Sequence, residues 1–78
     1  MTLRPPVAAE LARHGIEPEG ESPAALKDRL HAAYLREVAA LRERRRLGDL
    51  PGPQFAAAAA ELKGRYPLLA VSSSRWTE

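Results

Sequence analysis

Four arginines, Arg42, Arg44, Arg45 and Arg46, fall within five consecutive positions of the segment LRERRRLGDLP. Guanidinium groups bind phosphate oxygens through paired N–H donors, so such a run can hold a nucleic-acid backbone. On a helix turning about 100° per residue, Arg42, Arg45 and Arg46 share a sector roughly 100° wide, and Arg44 falls outside it. The same pattern also suits a helix end, where the macrodipole favours cations and free carbonyls need donors. Glu43 and Asp49 stand close enough in sequence to pair locally. No glycine-rich phosphate loop, recognition-helix signature or interleaved aromatic accompanies the run. The expectation is a charged helix end. Phosphate contact by Arg42, Arg44, Arg45 and Arg46, with Arg65, is the alternative.

Other chemistry-bearing residues are few. Helical phase places Glu37 inside an apolar stripe, where a carboxylate must be paired, protonated or exposed. An ion pair with an arginine of a neighbouring helix or subunit, or exposure where the covering helix falls short, is expected rather than catalysis. His14 precedes Gly15 at a helix end, and His31 lies mid-helix. Neither has an Asp or Cys at catalytic or ligand spacing, so both are assigned structural roles. Ser72, Ser73 and Ser74 lack the G-x-S-x-G context of a nucleophile elbow and read as a flexible tail. The chain has no cysteine, which excludes disulfides, thiolate metal sites and a thiol nucleophile, and fits a reducing compartment. No catalytic residue, cofactor or metal is assigned. An enzyme is not expected.

The elements that must carry these residues follow from punctuation and periodicity. Pro5 and Pro6 open a first helix over 5–14, with Val7 and Leu11 on one face and Gly15 at its end. An acidic loop, IEPEGE, follows. Ser22–Pro23 starts a long helix over 22–47, in which Leu26, Leu30, Tyr34, Val38 and Leu41 form one stripe. Leu35 falls off that stripe and is available to the first helix or a second subunit. Gly48 to Pro53 turns the chain, and a third helix over 53–66 presents Phe55, Ala59, Leu62 and Tyr66 on one face. Ala56 to Ala60 add almost no bulk, so a neighbour can approach closely. The segment from Leu41 to Tyr66 resembles helix–glycine turn–helix segments of bacterial proteins, an arrangement with no chemistry of its own.

The expected fold is all-α, a single small domain over 1–78. A short helix precedes a long and a shorter antiparallel helix, an αα-hairpin, with a tail over 67–78. The long helix overhangs its partner, and 78 residues make a marginal core. A homodimer completing a helical bundle is therefore expected. Leu68, Leu69 and Trp76 near the C-terminus are candidate partner-binding residues, since Trp is frequent among binding hot spots. Trp76 is equally suited to fold back as a core plug. Net charge is only +2, modest for a nucleic-acid module. No apolar run is long enough to span a bilayer, and no signal-peptide pattern is seen, so a cytoplasmic protein without membrane contact is expected. An Ala-, Leu- and Arg-rich composition without Asn fits a GC-rich bacterial source, and its few thermolabile residues fit a heat-loving one. The functional expectation is a protein–protein interaction or regulatory module, with a nucleic-acid-binding accessory protein as the alternative.

Overall fold

A computed structural model describes residues 2–78. Among them are three α-helices, α1 (Pro5–Arg13), α2 (Pro23–Arg46) and α3 (Gly52–Gly64). Two 3₁₀ turns follow, Pro67–Ala70 and Ser73–Arg75. The fold is all-α. Helix starts obey local chemistry. Prolines occupy the first turn of all three helices, where their missing N–H costs nothing. The Ser22 hydroxyl accepts the Ala25 N–H at 3.2 Å, capping α2.

Helix ends are set just as locally. After α1 the chain enters the left-handed region at Gly15 (φ 72°), and after α2 at Gly48 (φ 84°). In each case two N–H groups return to the last carbonyls. Ile16 bonds Leu11 and Gly15 bonds Ala12 at one end; Asp49 bonds Arg44 and Gly48 bonds Arg45 at the other. α3 stops at Gly64, two residues before the expected Tyr66. Pro67 disfavours helical backbone at the residue preceding it, and Tyr66 adopts φ −122°, ψ 55°.

α2 and α3 form the hairpin, and the remainder of the chain gathers at its open end. Val7 and Leu11 of α1, Ile16, Leu26 and Leu30 of α2, Leu62, Tyr66, Leu68 and Trp76 make one buried cluster. Trp76 is fully buried in its own chain and is the largest side chain to be so. Its indole N–H donates to the Val71 carbonyl at 3.2 Å. The tail is therefore packed against the head. Ser72 accepts from the Ser74 N–H and starts the second 3₁₀ turn. The Arg4 N–H then bonds Trp76 O at 2.9 Å and the Glu78 N–H bonds Thr2 O at 3.1 Å, tying the two ends of the chain together. This head supplies the cover that the N-terminal half of α2 required. The length mismatch between α2 and α3 is thus met within one chain there.

Beyond Leu41 the hairpin projects with little packing. The molecule measures 46 × 18 × 17 Å, and its radius of gyration is 14.5 Å. A compact chain of this length would have about 11.5 Å. No helix among the described residues is long and apolar enough to cross a membrane.

Candidate interaction surface

The projecting hairpin carries the arginine run, and α2 distributes it to two sides. Arg42, Arg45 and Arg46 line an open depression together with Phe55 of α3. The Arg45 guanidinium lies over the Phe55 ring, 5.0 Å from its centroid, within the range of a cation–π contact. Sequence spacing grouped these three arginines but found no aromatic among them. Phe55 reaches them only because the Gly48–Pro53 turn brings α3 back. Arg46 is also held by Glu43, with Nε and Nη2 donating at 3.0 and 2.5 Å. That pair holds the Glu43 carboxyl below, and the Arg46 guanidinium above, their ordinary values. Both groups are solvent-exposed, so the pair adds little to stability. It does neutralise one of the four cations locally.

Arg44 lies on the other side, in a shallow groove of about 330 Å³ between α2 and α3. Ala40, Leu41, Ala58 and Leu62 form its apolar floor, and Glu37, Arg44, Glu61 and Arg65 its rim. Glu61 of α3 is paired at 2.6 Å with Arg65, the residue just past the helix end. Arg44 has no carboxylate within ion-pair distance among the described residues. Leu47, 60% exposed, follows Ala40 by seven residues and so extends the same side of α2.

Glu37 is exposed at this groove rather than buried in the stripe, because α3 does not cover it. Its partner is a phenol, not an arginine: the Tyr66 hydroxyl donates to its carboxylate. Tyr66 itself is buried, and burial first, then the Glu37 carboxylate, pushes its phenol up to about 12. On its other face the ring stacks on His14, centroids 4.2 Å apart. His14 Nε2 donates to the Arg65 carbonyl at 2.8 Å, so this histidine joins the end of α1 to the end of α3.

The remaining candidate residues fall as follows. Leu26, Leu30, Leu62 and Tyr66 are buried, while Tyr34, Val38, Leu41, Phe55 and Ala59 are half-buried. Leu68 and Trp76 belong to the head's core and present no surface for a partner; Leu69 is half-buried. Of the two roles open to Trp76, it takes that of a core plug. The tail's apolar groups close the overhang of their own helix. Leu35 is 50% exposed and lies outside the buried cluster. Ser72 Oγ is engaged with Ser74 Oγ at 2.9 Å. Among the described residues no group of three or more His, Asp or Glu side chains is placed to hold a metal ion.

No protein family, curated protein or solved structure matches this chain. Function must be argued from the surface itself. Ile16 and Leu50 were missed by periodicity, and both are buried. Each is a lone apolar residue just past a helix-ending glycine, and that position is a usable signal.

Proposed function

We propose that the chain is a small, non-enzymatic, cytoplasmic association module that works as a homodimer through the Glu37–Arg44 side of its hairpin. What supports this reading is one two-helix face whose floor is apolar and whose rim carries two carboxylates and two guanidinium groups. The signs balance, so the face suits a copy of itself. A two-fold axis passing between Ala40 and Leu41 would set α2 antiparallel to its copy. Glu37 of one subunit then stands opposite Arg44 of the other, because the two positions are equidistant from the axis. Ala40 and Ala58 let the backbones approach, and Leu47 gains cover. The result is a four-helix arrangement in the hairpin half, where a single chain has little core.

The test is mass in solution by sedimentation at micromolar concentration. The unaltered chain is expected to be a dimer and Glu37→Arg a monomer. The double exchange Glu37→Arg, Arg44→Glu restores the dimer, because opposite charges face each other again. A monomeric unaltered chain, or a double variant no better than the single one, removes the reading.

A second reading rests on the convergence of Arg42, Arg45 and Arg46 on Phe55 at the tip. Three cations beside an aromatic ring suit a phosphate backbone with a stacked base. Binding to a single-stranded oligonucleotide would then fall with salt at a log–log slope of about −2 for three contacts. No binding at low ionic strength ends this alternative.

A further inference from the structure

On the opposite side of the α2–α3 seam from the proposed dimer face lies a second groove, of about 510 Å³. Its walls come from two stretches distant in sequence: Lys27, Asp28, His31 and Tyr34 of α2, and Lys63, Tyr66, Pro67, Leu69 and Ala70 from the end of α3 onward. The volume is within the usual range of small-molecule sites, roughly 300–1,000 Å³. Tyr34 meets Tyr66 edge-on, centroids 5.3 Å apart, and with Pro67 and Leu69 they give a firm apolar floor. His31 lies over Tyr34 at 6.5 Å, nearly parallel to it.

The polar groups at the rim are predominantly cationic. Lys27 is held in place by a 3.0 Å bond from Nζ to the Val71 carbonyl, so its ammonium is positioned, with two N–H donors left over. Lys63 of α3 lines the same groove and has no carboxylate within ion-pair distance among the described residues. Against these two ammonium groups and the His31 imidazole stands one carboxylate, Asp28. An apolar, partly aromatic floor edged by two ammonium groups and a single carboxylate complements a particular chemistry: a ring or branched hydrocarbon carrying one carboxylate.

We infer that this groove is a binding site for a small aromatic carboxylic acid, whose ring rests on Tyr34, Tyr66 and Leu69 and whose carboxylate is held between Lys27 and Lys63. The site shares no lining residue with the proposed dimer face, and the bond from the Tyr66 hydroxyl to Glu37 connects the two. It gives the module a place where a metabolite-sized acid can be sensed.

The probe is 3-phenylpropionate, titrated into the full chain while the ring signals of His31, Tyr34 and Tyr66 are followed by NMR. Saturable shifts at these rings are expected, with 3-phenylpropanamide, the uncharged analogue, binding about ten-fold more weakly. Lys63→Met, on the exposed end of α3, should reduce affinity by a similar factor with an unchanged melting temperature. Arg42→Met, at the hairpin tip, should leave binding intact. Equal binding of acid and amide would show a merely greasy surface and overturn the proposal. So would unaltered affinity in Lys63→Met, or inorganic phosphate shifting the same rings as strongly, which would show a headgroup-only anion site. The dimer reading stands or falls separately, on mass alone.

Discussion

α1 and α2 end on the same backbone device, and the chain beyond each end meets a different fate. Gly15 and Gly48 both take positive φ, and both ends return paired N–H bonds to the final carbonyls. At α1 the residues closing the motif are Ile16 and Leu11, both buried, and their contact feeds directly into the head's core. At α2 the corresponding residues are Asp49 and Arg44, both exposed. Leu50 is buried one residue later, yet it lies outside the main cluster. A glycine cap stops a helix regardless of its surroundings. Whether the stop is anchored depends on the side chain just beyond it. One end of this molecule is a closed head and the other a bare hairpin.

The sharpest way to break that contrast is to empty the head. Trp76→Ala removes a fully buried indole on which α2, the tail and the N-terminal segment converge. Such truncations cost about 3–5 kcal/mol. A 78-residue domain holds only roughly 4–12 kcal/mol. Chemical denaturation of this variant should show a loss of about 3–5 kcal/mol, a large share of the total. A loss below about 1 kcal/mol would mean the head is not the centre of stability.

Much of this architecture was legible before any coordinates. Ser22–Pro23, Gly15 and Gly48 act through their own backbone, so their consequences are local and readable. The stripe from Leu26 to Leu41 was legible for the same reason, as helical periodicity repeats. Ile16 and Leu50 belong to no periodic run, and nothing local fixes their direction. Trp76 was undecided because its destination depends on the path of the whole tail. The partner of Glu37 lay in the turn after α3, and that of the arginine trio on α3 itself. Lys27 and Lys63, which line one groove, carry no sequence signal because each alone is an ordinary surface lysine. Sites assembled across elements are invisible to spacing rules.

Tyr66 joins the two halves, and its titration sharpens the comparison. Its phenol is raised from the ordinary 10 to about 12 by burial and then by Glu37. Between these values the folded chain keeps a proton that the unfolded chain has lost, so stability falls as pH rises through this window and is fully present below pH 10. The loss at the top of the window is on the order of 2 kcal/mol. Tyr66→Phe removes the titrating group, and its stability should decline less steeply over the same range in urea denaturation. Parallel pH profiles for the two proteins would show that the phenol is not protected.

The smallest expected effect bears most directly on the head–hairpin contrast. Gly15→Ala and Gly48→Ala impose the same left-handed strain, and at neither position would the added methyl meet a neighbour. The local cost is therefore alike, about 1 kcal/mol after allowing for the stiffer unfolded chain. At Gly15 the strain cannot be relieved without unseating Ile16 and Leu11 from the core, so the full cost should appear in global stability. At Gly48 the chain can fray the tip instead, and the global loss is capped by whatever that tip contributes. Amides around Gly48 should then exchange faster in Gly48→Ala, while those near Leu30 keep their protection. In a dimer of the kind proposed the tip is packed, the cap on the loss is lifted, and the two glycine variants should become equally destabilised as protein concentration rises.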